Sequence, residues 1–393
     1  MITDPLAVFL TLAVVVQVSI KLEERVPLFR ALGAALTGIL LGMFLSNAGI
    51  LPGESAAYDF LMGDGVYFGI ALILLGVNLQ SVFQAGPGML AAFGIGAFGT
   101  VVGAVVGAIL LSDIVGPETW KLAGQYAATY TGGGANFAAV GRAFETTPDL
   151  FAAGTAADVI ITAAWMVICL AIPVLLGRRG PGPEKAASTG TEPESLAGPP
   201  DPGVEEPPTL EQGLGSSVRP VRIGHLAALV TIAIGAVWVA GALGSLFPSL
   251  PEVLWLTTIV LALAQVPAVK SLPGGALLGN YLILLFLASN GARSVIATLV
   301  SIGPSVFYFA VVTVAIHGVI IFTVGKLARL DLPTLAVASQ ANVGGAASAI
   351  ALAGARGYTD RLVPGVAVGL LGYALGNYIG LAVGGLMRAL LGV

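Results

Sequence analysis

From Gly65 to Ser112 the chain contains no Asp, Glu, Lys, Arg or His. About 20 consecutive apolar residues are enough for an α-helix to cross a bilayer, so this stretch commits the chain to a membrane. The whole sequence agrees. Hydrophobic residues make up 56% and charged residues 10%, against about 25% charged in soluble domains. The expected fold class is an all-α polytopic membrane protein whose solvent is the lipid bilayer. A net charge of −4 and the lack of a basic patch exclude nucleic acid as a partner. The lone Cys169 excludes an internal disulfide and a Cys-based metal site, and no tightly bound metal is expected.

Residues 5–20 read as a first membrane helix rather than a secretory signal, because Met1-Ile2-Thr3-Asp4 is acidic and no small-residue cleavage site follows. Lys21, Arg25 and Arg30 come next, which makes that loop cytoplasmic and puts the amino terminus outside a cell inner (plasma) membrane. Further helices are expected near 31–51, 60–82, 87–112 and 148–177, then near 225–247, 253–272, 274–299, 303–327 and 361–391. About ten transmembrane helices result. Residues 178–222 are rich in Pro, Glu, Gly and Ser and cannot bury enough apolar surface to order themselves, so they read as a disordered linker. Arg178, Arg179, Lys185, Arg219 and Arg222 flank it and make it cytoplasmic. The chain divides into a first repeat (1–177), the linker (178–222) and a second repeat (223–393).

The division into repeats rests on a pattern that occurs twice. YTGGGANFAAV at 130–140 and SQANVGGAASAI at 339–350 each set a glycine cluster beside polar residues inside an apolar element. The elements occupy about 120–146 and 331–357. Glycine costs roughly 1 kcal/mol against alanine in a helix interior, so a cluster marks a break. Weaker echoes accompany it: Leu72-Ile73-Leu74-Leu75 with Asn78 and Ser81-Val82 resembles Leu282-Ile283-Leu284-Leu285 with Asn290 and Ser294-Val295. If each broken element crosses the membrane, the halves are parallel repeats. If each is re-entrant, the halves are inverted, the linker is cytoplasmic, and Lys270, Lys326 and Arg329 join it there. The re-entrant form is expected. Non-helical backbone facing lipid is too costly, so both breaks must be covered by protein or line a cavity.

Paired breaks at matching places in two halves point to a transport site. A half-helix that begins inside the membrane presents free N–H groups and a partial positive charge, suited to a carboxylate. Unwound carbonyls and side-chain oxygens suit Na⁺. The expected substrate-binding residues are Thr131, Gly132, Gly133, Gly134 and Asn136 in the first break, and Gln340, Asn342, Gly344, Gly345 and Ser348 in the second. Gln125 lies near the first. Asp158, well inside the helix 148–177, is a functional candidate because a membrane carboxylate is expensive. It is grouped with Tyr130, Ser339 and Asn377 around a coupling ion. His317 reads more readily as a structural hydrogen-bonding group, and Arg293 is a further candidate for a substrate carboxylate.

Other motifs are decoys. Gly94, Gly96 and Gly99 spell GxGxxG but lie in an uncharged membrane helix with no preceding strand, and Gly99, Gly103 and Gly107 continue as a close-packing face. Asp59 and Asp64 are too close in sequence for an aspartyl protease pair. No catalytic constellation or nucleotide-binding loop is present, so no enzyme and no cofactor are expected, with Na⁺ as the candidate coupling ion.

TGGGANFAAVGRAF with Ala156-Ala157-Asp158, and SQANVGGAASAIALA with PGVAVGLLGYALGNYIG, resemble the two signatures of the YjcL-like membrane protein family, defined by domain of unknown function 819. The likeness spans nearly the whole chain except the linker. It implies membership in the broad grouping of cation/proton antiporters and anion symporters, a mobile core and a dimerising scaffold. Members of the family often carry Asn directly after the Asp, whereas Val159 stands here. The resemblance therefore brings no paired Asp–Asn cation site to this chain. The expected function is a secondary transporter: sodium- or proton-coupled symport of a small organic anion or amino-acid-like solute, by an elevator motion of a homodimer. A cation/proton antiporter that uses Asp158 is the alternative.

Overall fold

The structure is a computed structural model and describes residues 2–176, 220–248 and 250–393. Most of the expected linker, 177–219, lies outside the described residues. The helices are α1 (Pro5–Arg25), α2 (Pro27–Asn47), α3 (Ala56–Leu74), α4 (Gly86–Val115), α5 (Thr119–Gly132), α6 (Gly134–Ala143), α7 (Pro148–Leu176), α8 (Ile223–Leu246), α9 (Glu252–Ala264), α10 (Gly275–Ala292), α11 (Ile296–Leu327), α12 (Leu332–Ala355) and α13 (Leu362–Leu391). Local chemistry sets many ends. Asp4 caps α1 by accepting from the Ala7 amide at 2.8 Å, and Pro5 occupies the first turn, where its missing N–H costs nothing. α9 stops before Val266, since Pro267 disfavours helical backbone in the residue ahead of it. The expected single helix over 253–272 is therefore α9 plus the short helix Pro267–Lys270. α10 likewise ends short of 299, because the Val295 amide turns out to donate to Asp149.

Both broken elements fold back on themselves. In the first, the Thr147 hydroxyl donates to Glu118 Oε2 at 2.8 Å, Lys121 Nζ reaches the Glu145 carbonyl at 3.0 Å, and the Thr146 hydroxyl donates to Gln125 Oε1 at 2.9 Å. The two ends of the element thus lie together, and α5 and α6 run antiparallel. The chain reverses at Gly133, with φ 87° and ψ 174°, a region open essentially only to glycine. α12 does the same at Gly345, with φ 75° and ψ −170°. Its base is closed by Arg361, which lies beyond its end yet pairs with Asp331 ahead of its start at 3.0 Å and bonds Thr334 at 3.1 Å.

The hairpins enter from opposite faces. The Val295 amide at the start of α11 meets Asp149 at the start of α7 at 2.6 Å, and Arg388 at the end of α13 lies 5.1 Å over the ring of Trp120. These mark the amino-terminal face, where Ile2 also bonds Ile50. The opposite face joins Gln265 to Val77, Lys270 to Gln80, and Asp331 to Arg361. The first hairpin rises from the amino-terminal face and the second from the opposite one. Nine described helical stretches are long and apolar enough to cross a membrane, one of which is the folded-back Leu332–Ala355; Leu32–Asn47 and Glu252–Ala264 are shorter apolar helices that also run between the faces. Among the described residues, ten helices run between the two faces and two hairpins fold back, one from each face.

The helices sort into two bundles. One joins α4–α7 to α11–α13, the other α1–α3 to α8–α10, and contacts between bundles are sparse. Small residues let backbones approach where apolar burial gives no drive in lipid. A Cβ on Gly103 of α4 would strike the Thr313 carbonyl of α11, and one on Gly279 of α10 would lie 2.7 Å from the Gly69 carbonyl of α3. Gly96 and Gly99 likewise pack on α11 at His317, so the apparent dinucleotide motif is a packing seam. The bundles meet asymmetrically. α6 touches α3 and α9 of the other bundle, whereas the main neighbours of α12 among the described residues are α4, α5, α7, α11 and α13.

Candidate functional site

The two hairpin tips meet. A Cβ placed on Gly133 would lie 3.8 Å from Gly345 Cα. Hairpins that enter from opposite faces and touch at their tips place the contact deep between the faces. Gly133 caps α6 with no side-chain hydrogen bond to its first amides. The positive ends of two half-helices, α6 and the second arm of α12, therefore converge at one point. Gly134 is exposed, and a Cβ there would meet nothing within 4 Å. The tip of the first hairpin thus borders open space.

The expected polar residues take distinct places around this point. Asn136 is buried and donates to the Gly372 carbonyl of α13 at 3.3 Å. A Cβ on Gly132 would overlap both of those partners. The Thr131 hydroxyl bonds back to Ala127 within its own helix. Gln340 and Asn342 are both fully buried, and neither amide has a hydrogen-bond partner among the described residues. Buried amides are normally paired, so these two hold unspent donors and acceptors. Gln340 Nε2 and the Ser348 hydroxyl both crowd the position of a Cβ on Gly344, just ahead of the break.

Asp158 stands about one helical turn behind the first tip. Thr129 of α5 and Thr162 of its own helix each place a hydroxyl 3.5 Å from its carboxylate, and Tyr130 adjoins it. No ion pair to Asp158 occurs among the described residues. Thr129 was not among the expected residues, although its carbonyl accepts the Gly133 amide at 2.6 Å and so closes the turn that makes the break.

Three expected residues lie elsewhere. No hydrogen bond joins Ser339 to Asp158 among the described residues. The Ser339 hydroxyl accepts from Trp165 Nε1 at 3.0 Å and meets His317 Nε2 at 2.9 Å. Asn377 points across the bundle boundary, where it donates to Thr257 of α9 at 2.9 Å. Arg293 lies at the amino-terminal face, 2.7 Å from the sulfur of Met62 and far from either tip. His317 follows the structural expectation. The Gly96 carbonyl, 2.8 Å from Nδ1, can only accept, so Nδ1 carries the proton and Nε2 accepts from Ser339. Thr100 adjoins the same Nδ1 and donates to the Tyr130 carbonyl at 2.8 Å. This chain of bonds ties both hairpins to α4, α7 and α11.

Sequence reasoning missed Tyr373. A Cβ on Gly133 would lie 3.5 Å from its ring, and one on Gly345 would lie 3.2 Å from its hydroxyl. The available signal is its place in α13, within a glycine-rich run of which Gly372, Gly376 and Gly380 pack against the first hairpin and Gly369 against the second. A shallow apolar crevice of about 420 Å³ lies between α7 and α11, lined by Ala153, Ala157, Leu299, Pro304, Phe307 and Tyr308 among others, and is separate from the tips.

Two comparisons bear on this arrangement. The model of the family described as "Protein of unknown function (DUF819)" matches residues 7–390. The chain is 30% identical over 386 residues to the uncharacterized membrane protein YjcL of Bacillus subtilis (strain 168), covering 95% of this chain and 94% of that protein. With the family model matched over residues 7–390 and a 30% identical relative covering 95% of it, the chain belongs to the DUF819 family of membrane proteins.

Proposed function

We propose that this protein is a secondary active transporter that carries a small organic anion or amino-acid-like solute in symport with Na⁺ or protons. One observation carries the reading: two re-entrant hairpins from opposite faces bring their positive half-helix ends together beside open space. The described polar groups at that point are neutral, so an anionic group would be held by backbone amides and side-chain hydroxyls. Asp158, with Thr129, Tyr130 and Thr162, is the coupling position. No enzymatic activity and no cofactor enter this reading.

The asymmetry between the hairpins supports an elevator motion. The first hairpin touches α3 and α9, while the second makes no comparable contact with that bundle among the described residues. The tip therefore opens toward the face opposite the amino terminus. Inverted repeats supply the return state, in which the second hairpin docks and the first comes free. The bundle of α1–α3 and α8–α10 serves as the scaffold of a homodimer. Lys21, Arg25, Arg30, Lys270, Lys326 and Arg329 make the opposite face the cytoplasmic side of the plasma membrane.

Thermal stability of the purified protein, with a panel of carboxylates and amino acids and with or without Na⁺, tests the reading. A ligand at 100 times its Kd adds about 2.7 kcal/mol to a two-state protein. A solute that stabilises only with Na⁺ supports sodium symport, and one that stabilises at low pH alone supports proton coupling. Stabilisation by cations with no solute responding favours the alternative, a cation/proton antiporter centred on Asp158, because that carboxylate has three hydroxyls and no fixed cation around it. Asp158→Asn separates the two: a symporter keeps solute binding and loses coupling, and an antiporter loses all transport.

A further inference from the structure

Tyr373 is in contact distance of both break glycines, and its hydroxyl has no hydrogen-bond partner among the described residues. Tyr373 is partly buried, and its ring lies 3.5 Å from the Cβ position of Gly133, the residue next to the exposed Gly134. On the second tip, the unpartnered amide of the fully buried Gln340 and the free hydroxyl of Ser348 crowd the Cβ position of Gly344, the residue next to Gly345. A phenol donates a hydrogen bond readily and carries no charge. Two helix N-termini supply the positive potential that favours an anion there. A Cβ on Gly345 would lie 3.2 Å from the phenol oxygen, so a side chain there would press on it.

We propose that Tyr373 is the recognition residue of the tip site: its hydroxyl donates to a carboxylate held between the first amides of α6 and those of the second arm of α12, while Gln340 and Ser348 read the uncharged remainder of the solute. The inference rests on the transport reading for its biological meaning but not for its test. Among the described residues no Arg or Lys lies at the tips, and this sets the class of ligand. A single carboxylate on a small, otherwise neutral molecule matches two half-helix dipoles and one phenol. A dicarboxylate or tricarboxylate would bring charge that no described side chain there neutralises.

Thiol labelling tests this in the full-length protein with Cys169→Ala and Gly134→Cys, a position where the new side chain meets nothing within 4 Å. The probes are 2-carboxyethyl methanethiosulfonate and its trimethylammonium-ethyl counterpart. Thr359→Cys, exposed at the opposite face, is the reference. The carboxylate-to-ammonium rate ratio at the Gly134→Cys thiol should exceed the reference ratio by about ten-fold, from the hydrogen bond and the helix ends together. Adding Tyr373→Phe, which keeps the ring, should remove most of that excess. Reactivity should come from the face that carries Thr359. An unchanged ratio in Tyr373→Phe, no excess over the reference, or a thiol that does not react from that face would each overturn the proposal. If Gly134→Cys does not fold, Ser348→Cys carries the same measurement. A Tyr373-dependent ratio in a protein that moves no solute would sink the transport reading and leave this one standing. Transport with a Tyr373-independent ratio would do the reverse.

Discussion

Three consecutive glycines, Gly132, Gly133 and Gly134, should respond to alanine in three different ways. At Gly132 the backbone is helical, but a Cβ would overlap the Gly372 carbonyl oxygen and Asn136 Nδ2. A backbone oxygen cannot rotate away. Overpacking costs about 1–3 kcal/mol, and displacing Asn136 from the Gly372 carbonyl adds about 1 kcal/mol, so Gly132→Ala should lose about 2–4 kcal/mol. At Gly133 there is room, since the nearest atoms lie 3.5–3.9 Å from the Cβ position. The penalty there is purely conformational, because φ 87° with ψ 174° is a glycine region, and it should be about 1–3 kcal/mol. At Gly134 the backbone is helical and the surroundings are open, so alanine should gain about 0.5 kcal/mol by restricting the unfolded chain. Thermal unfolding of the three variants in one detergent gives the ranking directly. If Gly133→Ala proves as harmless as Gly134→Ala, the reversal at Gly133 is not real. If Gly134→Ala proves as damaging as Gly132→Ala, the first tip does not border open space.

Cysteines at Asp113, Thr147 and Thr359, each in a Cys169→Ala background, should label from one face for the first two and from the other face for the third; labelling of Asp113→Cys and Thr147→Cys from different faces would refute the hairpin. Asp331, which closes the base of the second hairpin, should give that base a pH dependence. Partial burial pushes its carboxyl up, but hydrogen bonds from Thr334 and the Arg361 guanidinium outweigh this and hold it below the ordinary 3.8. A value lowered on folding stabilises fully above the ordinary carboxylate range and is lost as pH falls through the lowered value. Hydrogen-exchange protection of the first turn of α12 should therefore fall only in acid, and Asp331→Asn should lower it at neutral pH as well. His317→Gln should destabilise the protein by about 1–3 kcal/mol, through the hydroxyls and carbonyl it leaves unpaired. It should leave the pH profile of any transport unchanged, since both ring nitrogens of His317 are already engaged; a shifted profile would give His317 a proton-carrying role.

Much of the fold was legible because the bilayer restricts it so heavily. Apolar length fixed the crossings, and the glycine clusters at 130–140 and 339–350 fixed both reversals, since no other residue tolerates φ near 80° with ψ near 180°. Helix ends were less legible where a tertiary partner decides them, as Asp149 does at Val295. The site was read in part. Its glycines, Asn136 and Gln340 announce themselves by residue type. Tyr373 does not, because a tyrosine in a long apolar helix says nothing until the partners across the bundle are known. Ser339 misled for the same reason: its position on the arm adjoins the break, but its helix face points toward Trp165 and His317.

The two halves show which parts of an inverted repeat the fold holds fixed and which it releases. Both break glycines adopt nearly the same φ and ψ, and each hairpin begins with an acid, Glu118 or Asp331, that accepts from groups at its own end. Three residues after each break comes a small polar side chain, Asn136 or Ser348, on the first turn of the second arm. Three residues before it, Tyr130 adjoins Asp158, while its counterpart Asn342 packs toward Gly96 and His317 with its amide unspent. Backbone reversal, base closure and a polar first turn are needed by any hairpin that must end inside a membrane, so both repeats keep them. The residues one turn behind the tips are under no such constraint. There the halves have diverged into an acid with hydroxyls on one side and a neutral histidine network on the other. A carboxylate with hydroxyl neighbours can take up and release a cation, whereas the matched bonds among Trp165, Ser339, His317 and Gly96 hold their helices together. On the proposed transport function, this asymmetry gives the coupling position to the first repeat.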